Sequence, residues 1–403
     1  MSLKRLWTLN ATLRPPQAWV AFKVRRFREG VDVGDKSVML AAGGTGGHLF
    51  PAFALAQELG RRGVAVDLVT DERGDRYGTG FPARAIHTVP SATLAGRSPA
   101  AAAKTIMALA SGVRAAYGLI GRVRPGAVIG FGGYPTFPPL VAAKLRGIPT
   151  AIHEANAVLG RANRMLAPRV SRIATSFEQT ALLSEDLAAR VCFTGNPVRD
   201  AVIDWSARPY RAAEPDEPFN LLVFGGSQGA RYFSEAVPPA IEQLTLNQRA
   251  RLRIVQQCRE EDLADVRNAY AAAGVTAELQ TFFKDLPERM ANAHLVIGRA
   301  GASSIAELTV LGRPAILVPL PHAVDNDQLR NATRLADAGA GWCLEQKALT
   351  PEKLAATIAS LMDEPAVLSA AAHAAKQLGR PDAVVRLADL AEELIGARTT
   401  NRA

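Results

Sequence analysis

The sequence predicts an α/β protein made of two doubly wound domains with a cleft between them. A chain of 403 residues is too long for one ordinary domain, and a strand, glycine-rich loop and helix near residue 40 are repeated near residue 220. Each half then carries a second unit of the same kind. Alternating strands and helices of this length are typical of parallel sheets covered on both faces. Because such sheets bind ligands at the carboxyl ends of their strands, we expect all four glycine loops to face the cleft.

The first unit is "VMLAAGGTGGHLFPAFALAQEL". The apolar run from Val38 to Ala42 predicts a short buried strand, and apolar residues at helical spacing from Phe53 to Leu59 predict a helix that stops at Gly60 to Gly63. His48 therefore stands at a strand-to-helix turn. Glycines at such a turn let the backbone approach a ligand closely, and the free N–H groups of the helix favour an anion.

The other three units and the junction between the halves can also be placed. The units are "NLLVFGGSQGARYFSEAVPPAI" near residue 220, "AVIGFGGYPTFPPLVAAKLRGIPTAIHE" with a loop at 130–135, and "LVIGRAGASSIAELTVLGRPAILVPLP" with a loop at 298–303. Proline, charged and small residues in 194–220 predict a hinge near Arg199. The expected organisation is a basic extension (1–36), a first domain (37–199), a second domain (200–379) and a final segment (380–403) whose helix packs back on the first domain.

Composition limits the partners and the compartment. A net charge of +9 and a pI near 9.7 suit a negatively charged partner, which could be nucleic acid, an anionic membrane or a phosphorylated substrate. We expect no nucleic acid, since no helix-turn-helix, zinc or RNA-binding signature is found. No apolar run reaches the roughly 18 to 20 residues of a membrane span, and no signal peptide is evident, so a cytoplasmic protein is expected. The three cysteines match neither a disulfide framework nor a zinc pattern.

The GGTGGH loop admits three interpretations from its residues alone. A glycine cluster can simply form a tight turn, although four glycines around Thr45 exceed what a turn needs. A dinucleotide fold would use Asp71 for a ribose contact. However, Gly44 and Gly46 are not followed by a third glycine at the required spacing, and one dinucleotide site would not explain the second half of the chain. Approach of a phosphate to the loop is therefore favoured.

Seven motifs in order closely resemble the MurG family of bacterial N-acetylglucosaminyltransferases, in glycosyltransferase family 28. They are GGTGGH (43–48), FGGYP (131–135), HEANAVLGRAN (153–163), TGNPVR (194–199), GGSQGA (225–230), RAGASSIAE (299–307) and DNDQLRNA (325–332). The resemblance covers about residues 37–398. It implies the GT-B fold, with UDP-N-acetylglucosamine (UDP-GlcNAc) bound mainly by the second domain and the acceptor lipid I by the first. Lipid II would form with inversion at the anomeric carbon, without a cofactor or a required metal.

The resemblance also implies the site residues. His48 would be the general base, since an imidazole can accept a hydroxyl proton at neutral pH; the residues leave open that it is an ordinary surface histidine or positions the acceptor pyrophosphate. Ser304 and Glu307 also match a helix capping box. Two departures from the family pattern, Ala155 and Asp327, affect contacts with acceptor and sugar. The expected UDP-GlcNAc contacts are Thr45, Gly46, Gly47, Asn156, Arg199 at the hinge, Ser227 at the diphosphate, Phe283 at uracil, the N–H groups of Ala302, Ser303 and Ser304, Glu307 at the ribose, and Gln328 at the sugar.

A lipid acceptor implies a peripheral protein on the cytoplasmic face of the inner membrane. Residues 104–124 predict an amphipathic helix whose apolar stripe faces either the core or an anionic membrane surface. The stripe is Ile106, Leu109, Val113, Ala116 and Ile120, flanked by Lys104, Arg114, Arg122 and Arg124. The segment 1–30 could be an interfacial helix, a disordered tail or an overlong start. Cell-wall and division machinery are possible partners, and a UDP-GlcNAc 2-epimerase on the same fold is the alternative enzyme.

Overall fold

The computed structural model describes residues 36–43, 45–71, 80–91 and 99–400. Apart from Lys36, the predicted basic extension and its interfacial helix lie outside the described residues, as do the side chains of 99–104, 227–230 and 399–400. Two parallel sheets carry the described chain, one in each half. The predicted α/β class with two doubly wound domains is confirmed.

The first domain holds a seven-stranded sheet in the order β3-β2-β1-β4-β5-β6-β7. Its order reverses between β1 and β4, so the loops after these two strands lie side by side at a topological switch point. The strands are β1 (Ser37–Ala41), β2 (Ala65–Thr70), β3 (Ala85–Thr88), β4 (Ala127–Gly130), β5 (Thr150–Glu154), β6 (Arg172–Thr175) and β7 (Val191–Phe193). The helices are α1 (Gly46–Arg61), α2 (Pro99–Val123), α3 (Phe137–Leu145) and α4 (Arg161–Leu166), with 3-10 helices at Tyr134–Thr136, Ala167–Arg169 and Glu185–Arg190.

The second domain repeats this arrangement with six strands in the order β10-β9-β8-β11-β12-β13. The strands are β8 (Phe219–Phe224), β9 (Leu252–Gln257), β10 (Ala277–Gln280), β11 (Leu295–Gly298), β12 (Ala315–Leu317) and β13 (Gly341–Cys343). The helices are α5 (Asp200–Ser206), α6 (Gly226–Glu242), α7 (Leu246–Arg251), α8 (Leu263–Ala272), α9 (Leu286–Asn292), α10 (Ala302–Leu311), α11 (Asp327–Asp337), α12 (Pro351–Asp363) and α13 (Pro365–Leu378). Short 3-10 helices cover Glu260–Asp262, Val324–Asn326 and Gln346–Ala348.

The last helix, α14 (Ala383–Thr400), crosses back to the first half of the chain. Leu387, Ala391 and Leu394 are buried in one cluster with Leu55 and Leu59 of α1. Burying such apolar side chains contributes about 1.5 to 3 kcal/mol each for the larger ones. The chain therefore crosses between the halves twice, once in 194–199 and once in 379–383.

The stripe predicted for α2 divides between core and solvent. Ala116 and Ile120 are fully buried and Val113 packs against the same core, whereas Ile106 is 64% exposed, so the prediction of one continuous stripe is wrong at Ile106. Another face of the helix, which includes Met107, is exposed instead. By length and composition alone, Thr105–Val123 meets the criteria for a membrane span, with a mean hydropathy of 1.2.

Candidate functional site

The GGTGGH loop ends directly at the N-terminus of α1. Thr45 occupies the position before the helix in an extended conformation, and Gly46 and Gly47 begin its first turn. The first helical hydrogen bonds run from the N–H groups of His48 and Leu49 to the carbonyl oxygen of Thr45, at 3.1 and 3.0 Å. The N–H groups of a first turn have no acceptor inside their own helix, and this end of the helix dipole is positive. The loop therefore presents a helix terminus that is suited to an anion.

His48 lies between this loop and the loop that follows β4. Its Nδ1 is 3.0 Å from Oγ1 of Thr45. On its other side, a Cβ built on Gly132 would lie 3.1 Å from Nε2, and Gly132 and Gly133 have φ angles of +94° and +76°. Glycine is therefore required at Gly132 by both its backbone and the close approach of the imidazole.

Burial lowers the pKa of His48 from 6.5 to about 4, although the negative charge of Asp71 opposes the shift. The imidazole is consequently neutral at pH 7 and carries a lone pair that can accept a proton. Neutral imidazole is the form that a general base requires.

The RAGASSIAE loop forms the corresponding terminus in the second domain. Gly301 precedes α10, and Ala302, Ser303 and Ser304 make up its first turn, with the first helical bond from the N–H of Ile305 to the carbonyl of Gly301 at 3.0 Å. Oγ of Ser303 is buried and has no hydrogen-bond partner among the described residues. The three N–H groups and this hydroxyl are well placed to hold a diphosphate.

The capping-box interpretation of Ser304 and Glu307 is wrong. The helix already begins at Ala302, so Ser304 lies inside its first turn, and no side chain caps the helix. Glu307 instead accepts two hydrogen bonds from Arg199, from Nη2 at 2.8 Å and from Nε at 3.1 Å, both on Oε1. Burial raises the pKa of Glu307, and the Arg199 guanidinium opposes that rise.

Arg199 connects the two helix termini. It precedes α5 just after the first crossing between the domains, and its guanidinium carbon lies 5.2 Å from the ring centroid of Phe50 on α1. The same guanidinium is bonded to Glu307 of α10. The structure therefore brings Thr45, His48, Arg199 and Glu307 into one region between the domains.

Asn156 lies in the same cleft, fixed by hydrogen bonds on both sides. Its backbone N–H and its Nδ2 donate to Oε1 of Glu154, at 3.0 and 3.2 Å. Its Oδ1 accepts from Nδ2 of Asn331 on α11, at 3.0 Å, and Asn331 also accepts from the N–H of Ala157 at 2.8 Å. Asn331 is fully buried and joins the second domain to the first.

Glu154 and Asn331 fix Asn156 at the cleft, and the sequence reasoning did not single them out. Glu154 is buried, and burial raises its pKa although the N–H groups of Gly160 and Asn156 bond the carboxylate. Both residues belong to motifs that were recognised, HEANAVLGRAN and DNDQLRNA, so their position in those motifs was the available signal.

Gln328 and Phe283 are held mainly by their own neighbourhoods. Oε1 of Gln328 accepts from the backbone N–H of Leu320 at 3.0 Å. The backbone N–H of Gln328 donates to Oδ1 of Asp327 at 2.6 Å. The Phe283 ring is buried, and the guanidinium of Arg289 lies over it, 4.5 Å from the ring centroid. In the described part of the chain, the side chains of Phe283 and Glu307 share no hydrogen bond or ring contact. Ser227 lies in α6, and its side chain is outside the described residues.

Metal-ligating side chains are scattered in the described parts of the chain. There, no group of three or more histidine, cysteine, aspartate or glutamate side chains is arranged to hold a metal ion.

Family models match both halves of the chain. Residues 38–175 match the glycosyltransferase family 28 N-terminal domain, and residues 220–387 match the glycosyltransferase family 28 C-terminal domain. The two matches cover most of each doubly wound domain and include both helix termini of the site.

Among curated relatives, the UDP-N-acetylglucosamine–N-acetylmuramyl-(pentapeptide) pyrophosphoryl-undecaprenol N-acetylglucosamine transferase of Mesorhizobium japonicum is 53% identical over 367 residues, 90% of this chain and 96% of the relative. The protein of the same name from Brucella suis biovar 1 is 52% identical over 362 residues, 90% and 95% of the two chains.

Solved structures show the same likeness. The MurG crystal structure from Acinetobacter baumannii has a TM-score of 0.72 at 32% identity and covers 89% of this chain and 99% of its own. A UDP-GlcNAc 2-epimerase from Neisseria meningitidis has a TM-score of 0.62 at 15% identity, over 88% and 98% of the two chains. The second likeness concerns the fold alone.

Proposed function

The chain belongs to glycosyltransferase family 28, and from that premise we propose that it transfers N-acetylglucosamine from UDP-GlcNAc to lipid I, undecaprenyl-pyrophosphoryl-MurNAc-pentapeptide. The products would be lipid II and UDP, with inversion at the anomeric carbon. The observation that carries the proposal is a neutral imidazole at one helix terminus, joined through Arg199 to a second terminus suited to a diphosphate. The transferase names of relatives more than 50% identical over 90% of the chain support the same reaction.

His48 would act as general base on the acceptor hydroxyl. If Nδ1–H donates to Oγ1 of Thr45, the lone pair is on Nε2, which accepts the hydroxyl proton as the oxygen attacks the anomeric carbon. As the new bond to that carbon forms, its bond to the diphosphate breaks, and the electron pair of the broken bond leaves with UDP. We assign Thr45 and the N–H groups of Gly46 and Gly47 to contacts with UDP-GlcNAc beside His48. Positioning of the acceptor pyrophosphate is the other role considered for His48.

The second domain would hold the donor. The N–H groups of Ala302, Ser303 and Ser304 would bind the diphosphate that carries the developing charge, and Ser227 would add a further contact. Glu307 would bind the ribose hydroxyls while still paired with Arg199, since both bonds from Arg199 end on one carboxylate oxygen. We assign uracil to the backbone at Phe283, and the sugar hydroxyls to Asn156 and Gln328.

A transfer assay tests the reaction. The purified protein is incubated with UDP-GlcNAc labelled in the sugar and with a lipid I analogue, and the label is followed into the extractable lipid. We expect labelled lipid and released UDP in equal amounts. If instead UDP-GlcNAc is converted into an epimer and no label enters lipid, the 2-epimerase alternative is correct and the proposed transfer is not.

We also propose that the protein associates peripherally with the cytoplasmic face of the inner membrane through α2. Met107, Ala110, Arg114 and Tyr117 are exposed at helical spacing, so apolar and basic side chains share one face beside the exposed Ile106. The net charge of +9 supports attraction to anionic lipid. The protein would meet the cell-wall and division machinery at the same surface of the membrane.

We assign three segments to the chain: the first domain at 37–199, the second domain at 200–379 and the final segment at 380–403.

Vesicle sedimentation tests the membrane surface. We expect binding to anionic vesicles that salt reverses, since each basic group near such a surface contributes about 1 kcal/mol and the field fades over a Debye length of roughly 10 Å at 0.1 M salt. Met107→Glu should weaken binding, whereas Leu246→Glu, at a similarly exposed leucine on α7 of the second domain, should not. Equal binding to neutral vesicles at high salt would contradict the electrostatic account.

A further inference from the structure

A cavity of about 320 Å³ lies between the two domains, beside the segments where the chain crosses from one to the other. The two crossings touch here: a Cβ built on Gly195 would lie 2.8 Å from the Cβ of Arg380 and 3.0 Å from that of Ala383. Gly195 also has a φ of +83°, so both its backbone and this contact call for glycine. His48, Glu307 and Gln328 do not line the cavity, although Ala302 does.

The walls of this hinge cavity combine apolar side chains from both domains with several polar ones. Phe177 and Phe193 contribute from the first domain, and Ile305, Val310 and Leu335 contribute from the second. A concave site with apolar walls and a few polar groups is typical of small-molecule binding, and its volume is in the range of such sites. An occupant would therefore bury an apolar body against both domains at once.

Asn196 supplies an unsatisfied polar group at the cavity. The residue is only 6% exposed, lines the cavity, and neither its Oδ1 nor its Nδ2 has a hydrogen-bond partner among the described residues. A buried amide without partners costs free energy that a ligand can recover by accepting from Nδ2 and donating to Oδ1. The unpaired amide therefore indicates a ligand independently of the shape of the cavity.

Two guanidinium groups give the cavity a positive rim. Arg334 on α11 makes no ion pair within the described ranges. Arg380 lies over the Phe193 ring, 5.2 Å from its centroid, and its nearest carboxylate oxygen, on the largely exposed Glu178, is 3.9 Å away. Two cations face one exposed carboxylate, so a single anionic group on the ligand is favoured here.

We propose that this hinge cavity is a second ligand site, which takes a small molecule with an apolar body and one carboxylate or phosphate group. The apolar body packs between Phe193 and Ile305, the anionic group pairs with Arg334 and Arg380, and Asn196 bonds a polar atom between them. Because the site joins both domains next to both crossings, its ligand stabilises the arrangement of the domains seen in this structure. The proposal goes beyond the transfer reaction and does not rest on it.

Three naphthalene compounds serve as probes in fluorescence titrations of the full chain. Naphthoate and naphthyl phosphate carry the two candidate anionic groups, and naphthylmethanol is the neutral control. We expect saturable binding of at least one anion that is roughly tenfold or more tighter than binding of the alcohol. The better anion identifies the head group. Saturating UDP should leave binding in place, because Glu307, assigned to the ribose, does not line the cavity, and the only assigned UDP contact that does is Ala302.

Matched variants locate the bound probe. Leu378→Trp should fill the cavity and weaken binding at least roughly tenfold, whereas Val367→Trp, on the same helix at the same 39% exposure but away from the cavity, should not. Arg334→Gln removes one of the two rim cations and offers a second variant that should fold normally. The proposal would be overturned if no probe binds saturably or if UDP displaces the probe. It would also be overturned if Leu378→Trp and Arg334→Gln bind the probe as tightly as the unsubstituted protein does. Transfer activity in the same samples is measured separately, so failure of one proposal does not imply failure of the other.

Discussion

The two domains present the same backbone feature to the cleft but equip it differently. Both α1 and α10 start at the carboxyl end of a parallel strand and expose the N–H groups of a first turn. In the first domain that terminus carries His48, held neutral by burial and packed against two glycines. In the second it is followed by Glu307, which is held by Arg199 at the hinge. Under the proposed function, both termini bind anions, and proton transfer is assigned to the first.

The surroundings of the two termini explain this division. A neutral imidazole needs a site where protonation is costly, and burial beside Gly132 and Gly133 supplies it. A buried carboxylate needs a cation, and Arg199 supplies that. Helix termini of the same geometry therefore accompany a neutral imidazole in one domain and a charged carboxylate in the other. We expect substitutions at His48 to change turnover and substitutions at Glu307 to change donor affinity.

The largest expected effect is on turnover, from His48→Ala. Loss of a general base lowers the rate roughly 10²- to 10⁴-fold, while donor affinity should change far less, because the donor is assigned mainly to the second domain. The measurement is kcat and KM for UDP-GlcNAc at saturating acceptor. His373→Ala, at an exposed histidine on α13, is the control and should be silent. If His48→Ala keeps most of its turnover, the base assignment is wrong.

The next largest effect is on donor affinity, from Glu307→Ala. Hydrogen bonds to a charged group contribute about 1.5 to 3 kcal/mol, so UDP-GlcNAc should bind roughly tenfold to a hundredfold more weakly. Glu307→Gln keeps a partner for Arg199 but cannot offer a charged carboxylate to two ribose hydroxyls, so it should also lose affinity while losing less stability.

Calorimetry beside thermal melting separates these effects, with Arg199→Gln and the double variant completing a cycle. Should Glu307→Ala and Glu307→Gln both bind donor as the parent does while only their melting changes, Glu307 is an ion-pair partner and not a ribose ligand.

The sequence predicted the helix termini well because their signals are local. An apolar run followed by glycines placed the first strand at 38–42 against Ser37–Ala41 observed, and the predicted stop at Gly60 to Gly63 includes the observed end of α1 at Arg61. The partner of Glu307 was beyond such signals, since Arg199 lies 108 residues away in the chain. The capping-box interpretation failed because the S-x-x-E motif does not by itself show where the helix begins.

Contacts across the cleft were equally out of reach. Asn331 meets Asn156 across 175 residues, and nothing in the local spacing of either amide distinguishes a bond between domains from an exposed side chain. For α2, periodicity identified an amphipathic helix but not that Ile106 lies beyond the core that covers Ala116. Such features depend on how the finished domains pack.

A smaller effect sharpens the comparison through pH. Because the pKa of His48 is lowered to about 4, kcat/KM should stay nearly level from pH 7 to pH 5.5, where an imidazole of pKa 6.5 would retain roughly a tenth of its neutral form. The sign for stability follows: between about pH 6.5 and 4 the unfolded chain takes up a proton that the native histidine refuses, so stability falls as the pH is lowered through this window. An acidic limb near pH 6.5 in kcat/KM would contradict the assignment of a neutral base with a lowered pKa.

The smallest effect compares one glycine from each region. Gly132→Ala places a Cβ 3.1 Å from the His48 ring at a φ of +94°, and strain of this kind costs about 1 to 3 kcal/mol. Gly301, before α10, has a φ of −66°, and a Cβ added there would have nothing within 4 Å, so Gly301→Ala should change the free energy of unfolding by less than about 1 kcal/mol. Denaturant midpoints at unchanged m values give both numbers. Gly132→Ala should also lower turnover, because the imidazole must shift. Equal destabilisation by the two substitutions would mean that the His48 ring is not confined by its glycine loop, and the contrast between the two termini would then rest on their side chains alone.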